Sequence, residues 1–164
     1  DMQERCQALL AAAGYAQYEV SAYARDGYQC AHNLNYWKFG DYLGIGAGAH
    51  GKISSGAEQS ILRRWKTKHP QAFLAAAGTP AAIGGDDWIG AERRPFEYML
   101  NALRLNQGFA LRDFAARTGL APDAIAPALA QARARDWLQL TSGHAVPTEL
   151  GRRFTNDVVA LFMR

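Results

Sequence analysis

The residues best suited to chemistry lie between Tyr18 and Gly51, where His32 is followed by Tyr36 and Trp37 and where Gly44, Gly46, Gly48 and Gly51 crowd the end of the run. An imidazole four residues ahead of an aromatic pair offers an axial nitrogen and apolar faces for a flat macrocycle. A histidine between polar neighbours such as Asn33 and Asn35 can equally well hydrogen-bond the backbone. The glycines allow a ligand to approach a strand end, because no Cβ blocks it, or they mark a bulge or bend. Their spacing is not GxGxxG. Glu19 and Tyr23 share one face of an expected strand, so Glu19 could bind a polar cofactor group or hydrogen-bond Tyr36 or a nearby amide. Asp41 reads as an anchor for the loop before the second strand. Cys6 and Cys30 form no CxxC pair, so they read as structural thiols in a reduced, cytoplasmic setting.

The elements that must position these residues follow from periodicity. Residues 2–13 form an expected amphipathic helix that packs Cys6, Leu9, Leu10 and Ala13 on a sheet, with Gly14 as its C-cap. Tyr18–Tyr23 alternates as one strand, Asp41 to Ile45 begins another, and His32–Trp37 hangs in the loop between them. Helix, strand, loop and strand in that order suggest a parallel α/β unit. Residues 56–78 read as helical, including Ser60–Lys66, with an interruption at Pro70 and a resumption at Gln71–Leu74. The Gly/Pro-rich passage Gly78–Gly85 reads as a linker.

Beyond it, Ala91–Leu105 is an expected helix with Phe96, Met99, Leu100 and Leu103 on one side, and Leu111–Arg117 a shorter one closed by Gly119. A third helix is expected over Pro122–Arg135. Trp137–Thr141 and His144–Pro147 form a hairpin around Ser142-Gly143, and Thr148–Met163 a last helix with Leu150, Phe154, Val158 and Leu161 in line. The fold class is α/β plus α+β. Three parts are expected: 1–55, a helical connector 56–90, and a winged-helix-like domain 91–164.

A chain of 164 residues with 49% apolar and 20% charged residues is composed like a soluble globular protein. No apolar stretch approaches the roughly 18 residues of a membrane span. The net charge of +3 is spread out, with Arg63-Arg64, Arg93-Arg94 and Arg152-Arg153 as the pairs. Pro122 to Ala130 supplies almost nothing that could read a base edge, which argues against a winged-helix nucleic-acid partner. With no initiating Met, the chain reads as beginning inside something larger.

The motifs YEVSAYA, HNLNYW and DYLGIGAGAHG, followed by a tail ending LGRRFTNDVVALF, resemble the C-terminal part of oxygen-independent coproporphyrinogen III oxidase-like radical-SAM proteins. The HNxxYW element resembles the haem chaperone branch. The resemblance implies closing strands of a partial (β/α) barrel, a winged-helix-like domain, and haem bound by His32, Asn33, Tyr36 and Trp37, with His32 as the iron ligand. It implies further that Ile45, Ala47, His50 and Glu19 face S-adenosylmethionine, and that haem-accepting proteins and the upstream barrel are partners. A homodimer is consistent with the expected open strand edges. The [4Fe-4S] cluster of such proteins is held by CxxxCxxC, and two cysteines cannot supply three thiolates. Radical chemistry is therefore not expected of this chain alone. The alternative is a coproporphyrinogen dehydrogenase of porphyrin biosynthesis, with the same fold and cofactors.

Overall fold

The computed structural model describes residues 2–56 and 58–163. Contacts divide the chain into two compact units, one made of the segments up to Phe39 and from Pro95 onward, the other of Gly40–Arg94. The first segment holds α1 (Met2–Ala12), β1 (Ala16–Glu19), β2 (Ala22–Ala24) and α2 (Ala31–Trp37). The expected single strand Tyr18–Tyr23 is thus a hairpin, with Glu19 paired to Ala22. Two side-chain bonds hold its tight turn: Gln17 Nε2 donates to the Val20 carbonyl at 2.9 Å, and Ser21 Oγ to Glu19 Oε1 at 2.9 Å. The far side of β1 is tied to a distant stretch, since Val20 N donates to the Arg104 carbonyl and Asn106 N to the Tyr18 carbonyl, both at 3.1 Å. α1 is not the packing helix that was expected. It buries none of its residues, Cys6 is exposed, and Leu9 is 62% exposed.

HNLNYW is helical rather than looped. Seven residues with two asparagines are too few to nucleate a helix alone, so tertiary contacts must hold α2. Leu34 N donates to the Cys30 carbonyl and Lys38 N to that of Leu34, and Phe39 ends the helix with φ 56°.

Gly40–Arg94 contains β3 (His50–Ser55), β4 (Ser60–Lys66), α3 (Pro70–Ala76), a 3-10 turn at Pro80–Ala82, and β5 (Ile83–Trp88). The strands form one antiparallel sheet with β4 in the centre. Ser60–Lys66, expected as helix, is therefore the middle strand, and the boundary expected after residue 55 falls between two paired strands. Alternation decides it: Arg64 lies opposite Asp86 and binds both of its carboxylate oxygens, at 2.7 and 2.8 Å. Pro70 opens α3 at a first-turn position instead of interrupting a helix.

The supposed linker ends in β5. Gly84 and Gly85 lie across from Trp65, and a Cβ at Gly85 would fall inside the indole. These glycines are there to admit a ring. Every pairing between strands of a sheet is antiparallel among the described residues, and the expected parallel arrangement is not found among them.

Asp41 anchors its loop as expected. Its carboxylate accepts from Lys52 Nζ at 2.7 Å and from Ser54 N and Oγ, each at 2.9 Å. Lys52 is only 2% exposed. Partial burial disfavours the charged Asp41, but the bonds from Lys52 and Ser54 and the lysine charge outweigh it and hold the carboxyl below its ordinary 3.8.

The chain from Arg94 on comprises α4 (Arg94–Ala102), β6 (Phe109–Ala110), α5 (Leu111–Thr118), a 3-10 turn at Pro122–Ile125, α6 (Ala126–Ala134), β7 (Leu138–Thr141), β8 (His144–Pro147), α7 (Glu149–Arg153) and α8 (Thr155–Ala160). Its three strands order as β6-β8-β7. The hairpin about Ser142-Gly143 and the left-handed cap at Gly119 stand where the sequence places them. The buried side of α4 is rotated from expectation: Tyr98, Met99, Ala102 and Leu103 face inward, while Leu100 is exposed. Tyr98 meets Phe39, Phe109 and Phe114 edge-on at 5.6, 5.4 and 5.3 Å between centroids, which makes it the hub of this core. The last helix breaks at Phe154, whose ring stacks on Trp137 at 6.3 Å. Leu150 and Phe154 are consequently exposed, and Val158, Val159 and Phe162 are the buried set.

Replacing Gly85 with Val should lower the unfolding free energy by about 1–3 kcal/mol, the usual cost of overpacking, as read by urea denaturation. Gly56→Ala, where a Cβ meets open space, serves as the control and should stay within about 0.5 kcal/mol.

Acid should act through Asp41. A lowered folded pKa means that the unfolded state binds the extra proton, so this contribution is complete above about pH 5 and disappears as pH falls through 3.8 and below. Asp41→Asn should lose about 1.5–3 kcal/mol at pH 7, the worth of a hydrogen bond to a charged group, and the gap to the parent should shrink towards pH 3. A gap that stays constant across that range would show that ionisation of Asp41 is irrelevant.

Candidate functional site

The hairpin β1–β2, the stretch Arg104–Asn106 and helix α2 surround one cluster. Arg104 lies between Glu19 and Trp37: its guanidinium is 3.6 Å from Glu19 Oε2 and stacks 4.3 Å from the Trp37 ring centre. Glu19 is 1% exposed and also accepts from Ser21. Glu19 Oε2, Arg104 Nε and Trp37 Nε1 are all buried without a hydrogen-bond partner. Charge attraction and stacking therefore carry this contact, and a side chain that cannot supply both would leave a carboxylate stranded.

α2 divides the expected haem-binding set. His32 and Tyr36, four positions apart, share one face, with ring centroids 4.7 Å apart and planes at 85°. His32 is exposed and Tyr36 half-buried. Asn33 and Trp37 lie on the other side: Asn33 Nδ2 donates to the Tyr18 hydroxyl at 3.4 Å, and Trp37 sits under Arg104. The helix thus brings His32 together with Tyr36, while the Trp37 ring, 6.5 Å from that of Tyr36 with planes at 51°, packs under Arg104. What the His32 face offers is an accessible imidazole beside an aromatic edge, on one side only.

The other expected cofactor residues occupy the second unit, apart from Glu19, which belongs to the first. Ile45 is 90% exposed and Ala47 is exposed, both on the glycine-rich loop ahead of β3. His50 opens β3, and its ring stacks on Trp65 at 6.1 Å. A Cβ at Gly44 would strike the His50 carbonyl, so Gly44 lets the loop lie directly on its own strand. Gly48 N donates to the Thr67 carbonyl and Lys66 N to that of Ala49, each at 2.9 Å, which fixes the loop against β4. Ile45 borders a shallow cleft with Phe73 and Ile83; Ala47 and His50 do not.

Sequence reasoning missed Arg104, Lys38, Arg117 and His144. A cleft of about 730 Å³ runs along α2 on the side opposite His32, walled by Leu34, Trp37 and Phe109 and edged by Lys38, Arg117 and His144. These residues come from four separate elements and connections, so no local spacing signals them. The +4 interval from Leu34 to Lys38 was the available clue, and it needed α2 to be read as helix. Arg133 and Arg135 flank the end of α6, and Arg135 is occupied in stacking on Trp137 at 4.8 Å.

Comparison with known proteins places this geometry. Residues 90–154 match the family model of the HemN C-terminal domain. The chain is 44% identical over 163 residues to the heme chaperone HemW of Escherichia coli (strain K12), covering 99% of this chain and 42% of that protein. HemW of Haemophilus influenzae is 39% identical over 163 residues, with 99% and 41% covered, and HemW of Bacillus subtilis (strain 168) 30% identical over 164 residues, with 99% and 42%. The chain spans about two fifths of the length of these relatives. Among solved structures, the Escherichia coli coproporphyrinogen III oxidase HemN, a radical SAM enzyme, matches with a TM-score of 0.68 at 14% identity, covering 98% of this chain and 39% of that one. At that identity the match establishes a shared fold.

Arg104→Ala should cost about 2–3 kcal/mol, because it strands the Glu19 carboxylate and uncovers Trp37. Adding Glu19→Gln should recover part of that loss, a coupling measurable as a double-mutant cycle in urea. Strictly additive losses would mean that the two side chains do not depend on each other.

Proposed function

Because the chain is a relative of the HemW heme chaperones over nearly its whole length and carries a HemN C-terminal domain, we propose that it binds haem for delivery to acceptor proteins. The observation that carries this reading is the exposed His32 with Tyr36 edge-on beside it. An accessible imidazole would hold haem through its iron, and the Tyr36 ring beside it would pack against the porphyrin. Asn33 and Trp37 act differently in this reading: they fasten α2, through Tyr18 and Arg104, so that His32 is presented on a fixed surface.

S-adenosylmethionine and a [4Fe-4S] cluster belong to the same reading only as cofactors of a longer protein. Cys6 on α1 and Cys30 just ahead of α2 are both exposed, and two thiolates do not fit a cluster that needs three. Ile45, Ala47 and His50 would face the cofactor from the glycine-folded loop, whereas Glu19 is committed to Arg104. A barrel contribution from the first 55 residues would need strands beyond those paired here. α4–α6 with β6-β8-β7 would form a winged-helix-like packing module. No helix among the described residues is long and apolar enough to cross a membrane. The 44% identity to a heme chaperone, against 14% to the oxidase structure, favours haem handling over coproporphyrinogen oxidation.

Haemin titrated into the 164-residue chain should give a saturable Soret shift, and His32→Ala should weaken binding about tenfold or more while circular dichroism is unchanged. An identical Soret band and affinity in the variant would eliminate His32 as the ligand.

A further inference from the structure

We propose that the cleft on the Trp37 side of α2 is a second, iron-independent binding site for a planar tetrapyrrole, which it holds by its ring and its carboxylates. The cleft is distinct from the His32 face, because Leu34, Trp37 and Lys38 line it and neither His32 nor Tyr36 does. Its volume of about 730 Å³ is within the range of cofactor-sized sites, roughly 300–1,000 Å³. Leu34, Trp37 and Phe109 supply an apolar and aromatic wall of the kind that accepts a flat conjugated ring. Around them stand two cationic side chains from different elements, Lys38 just past α2 and Arg117 on α5, both exposed at their tips.

Charge decides the class of ligand. Asp113 also borders the cleft, but Arg112 stands 3.8 Å from its carboxylate, so the acid is partly compensated from outside. Lys38 and Arg117 take part in no ion pair among the described residues. Two available cations flanking an aromatic wall suit a ring that carries two carboxylates, each able to accept charge-assisted hydrogen bonds. His144 adds a directed group. Its Nε2 lies 2.8 Å from the Gln107 carbonyl, an acceptor only, so Nε2 donates and the ring is held in a fixed orientation at the cleft edge. Arg104 stacks on Trp37 and holds that wall in place from the protein side. The choice of a tetrapyrrole over another planar dicarboxylate rests on the haem reading above; the cleft and its charges do not.

The test uses metal-free protoporphyrin IX, which has both propionates and no iron, titrated into the 164-residue chain and followed by porphyrin absorbance and emission. Saturable one-to-one binding is expected, about tenfold or more weaker for the dimethyl ester, in which both carboxylates are neutral. Lys38→Glu combined with Arg117→Glu should weaken protoporphyrin binding at least as much, with circular dichroism and melting unchanged because both side chains are exposed. His32→Ala should leave protoporphyrin affinity as it was. No saturable binding, equal binding of the ester, indifference to the charge reversal, or a loss in His32→Ala would each overturn the proposal. Haemin titrated in parallel separates it from the haem reading. A Soret response lost only in His32→Ala, with protoporphyrin unbound, sinks the cleft and leaves His32 standing; the opposite pattern sinks His32 and leaves the cleft.

Discussion

The buried contact between Glu19 and Arg104, closed by the Trp37 ring, is the constraint on which the candidate site depends. Burying a carboxyl to 1% exposure removes its water, and the cation that offsets that loss here arrives from a stretch far along the chain. Satisfying that charge draws the Arg104–Asn106 segment onto β1, where backbone bonds from Val20 and Asn106 complete the join. It also sets Trp37 flat against the guanidinium, which fixes the rotation of α2. With that rotation set, His32 faces outward beside the half-buried Tyr36, and Leu34 and Lys38 line the cleft. A seven-residue helix with little propensity of its own thus acquires two defined faces from one ion pair.

In the second unit the comparable constraint is steric. Gly44 and Gly85 are each placed where a Cβ would collide, the first with the His50 carbonyl and the second with the Trp65 indole. Gly85 admits a tryptophan between strands, and Gly44 lets a loop lie on the strand it precedes. The buried Lys52, held by Asp41 and Ser54, then pins the loop's other end to β3. The density of glycine between Gly44 and Gly51 is accounted for in large part by this folding back, so it does not need a ligand to explain it.

What could be read from sequence was whatever local chemistry determines. The β7–β8 hairpin, with Ser142-Gly143 at its turn, and Gly119 as the left-handed cap of α5 depend on residues adjacent in the chain, and these were legible. β4 was not: Ile61-Leu62-Arg63-Arg64-Trp65 suits helix and strand alike, and the evidence for strand lies across the sheet, where Arg64 meets Asp86. The reading of Gly78–Gly85 as linker failed for the same reason, since the need for glycine lay in a tryptophan on another strand. α2 was misread because its asparagines weaken a helix that tertiary contacts then impose. Candidate residues such as His32 and Tyr36 were visible as types; their separation from Trp37 was not, because that requires the helix.

The division of α2 into two faces changes how the HNxxYW pattern functions as a unit. Five of its six positions differ in what they touch: His32 and Tyr36 contact each other, Asn33 reaches Tyr18, Leu34 walls the cleft, and Trp37 does so while carrying Arg104. The Tyr36 ring lies 4.7 Å from His32 and 6.5 Å from Trp37, so the three rings run around the helix in a chain with Tyr36 in the middle, and they do not share one flat face. Substituting Trp37 and substituting His32 would therefore perturb different things, the first the placement of α2 and the cleft wall, the second the exposed nitrogen alone.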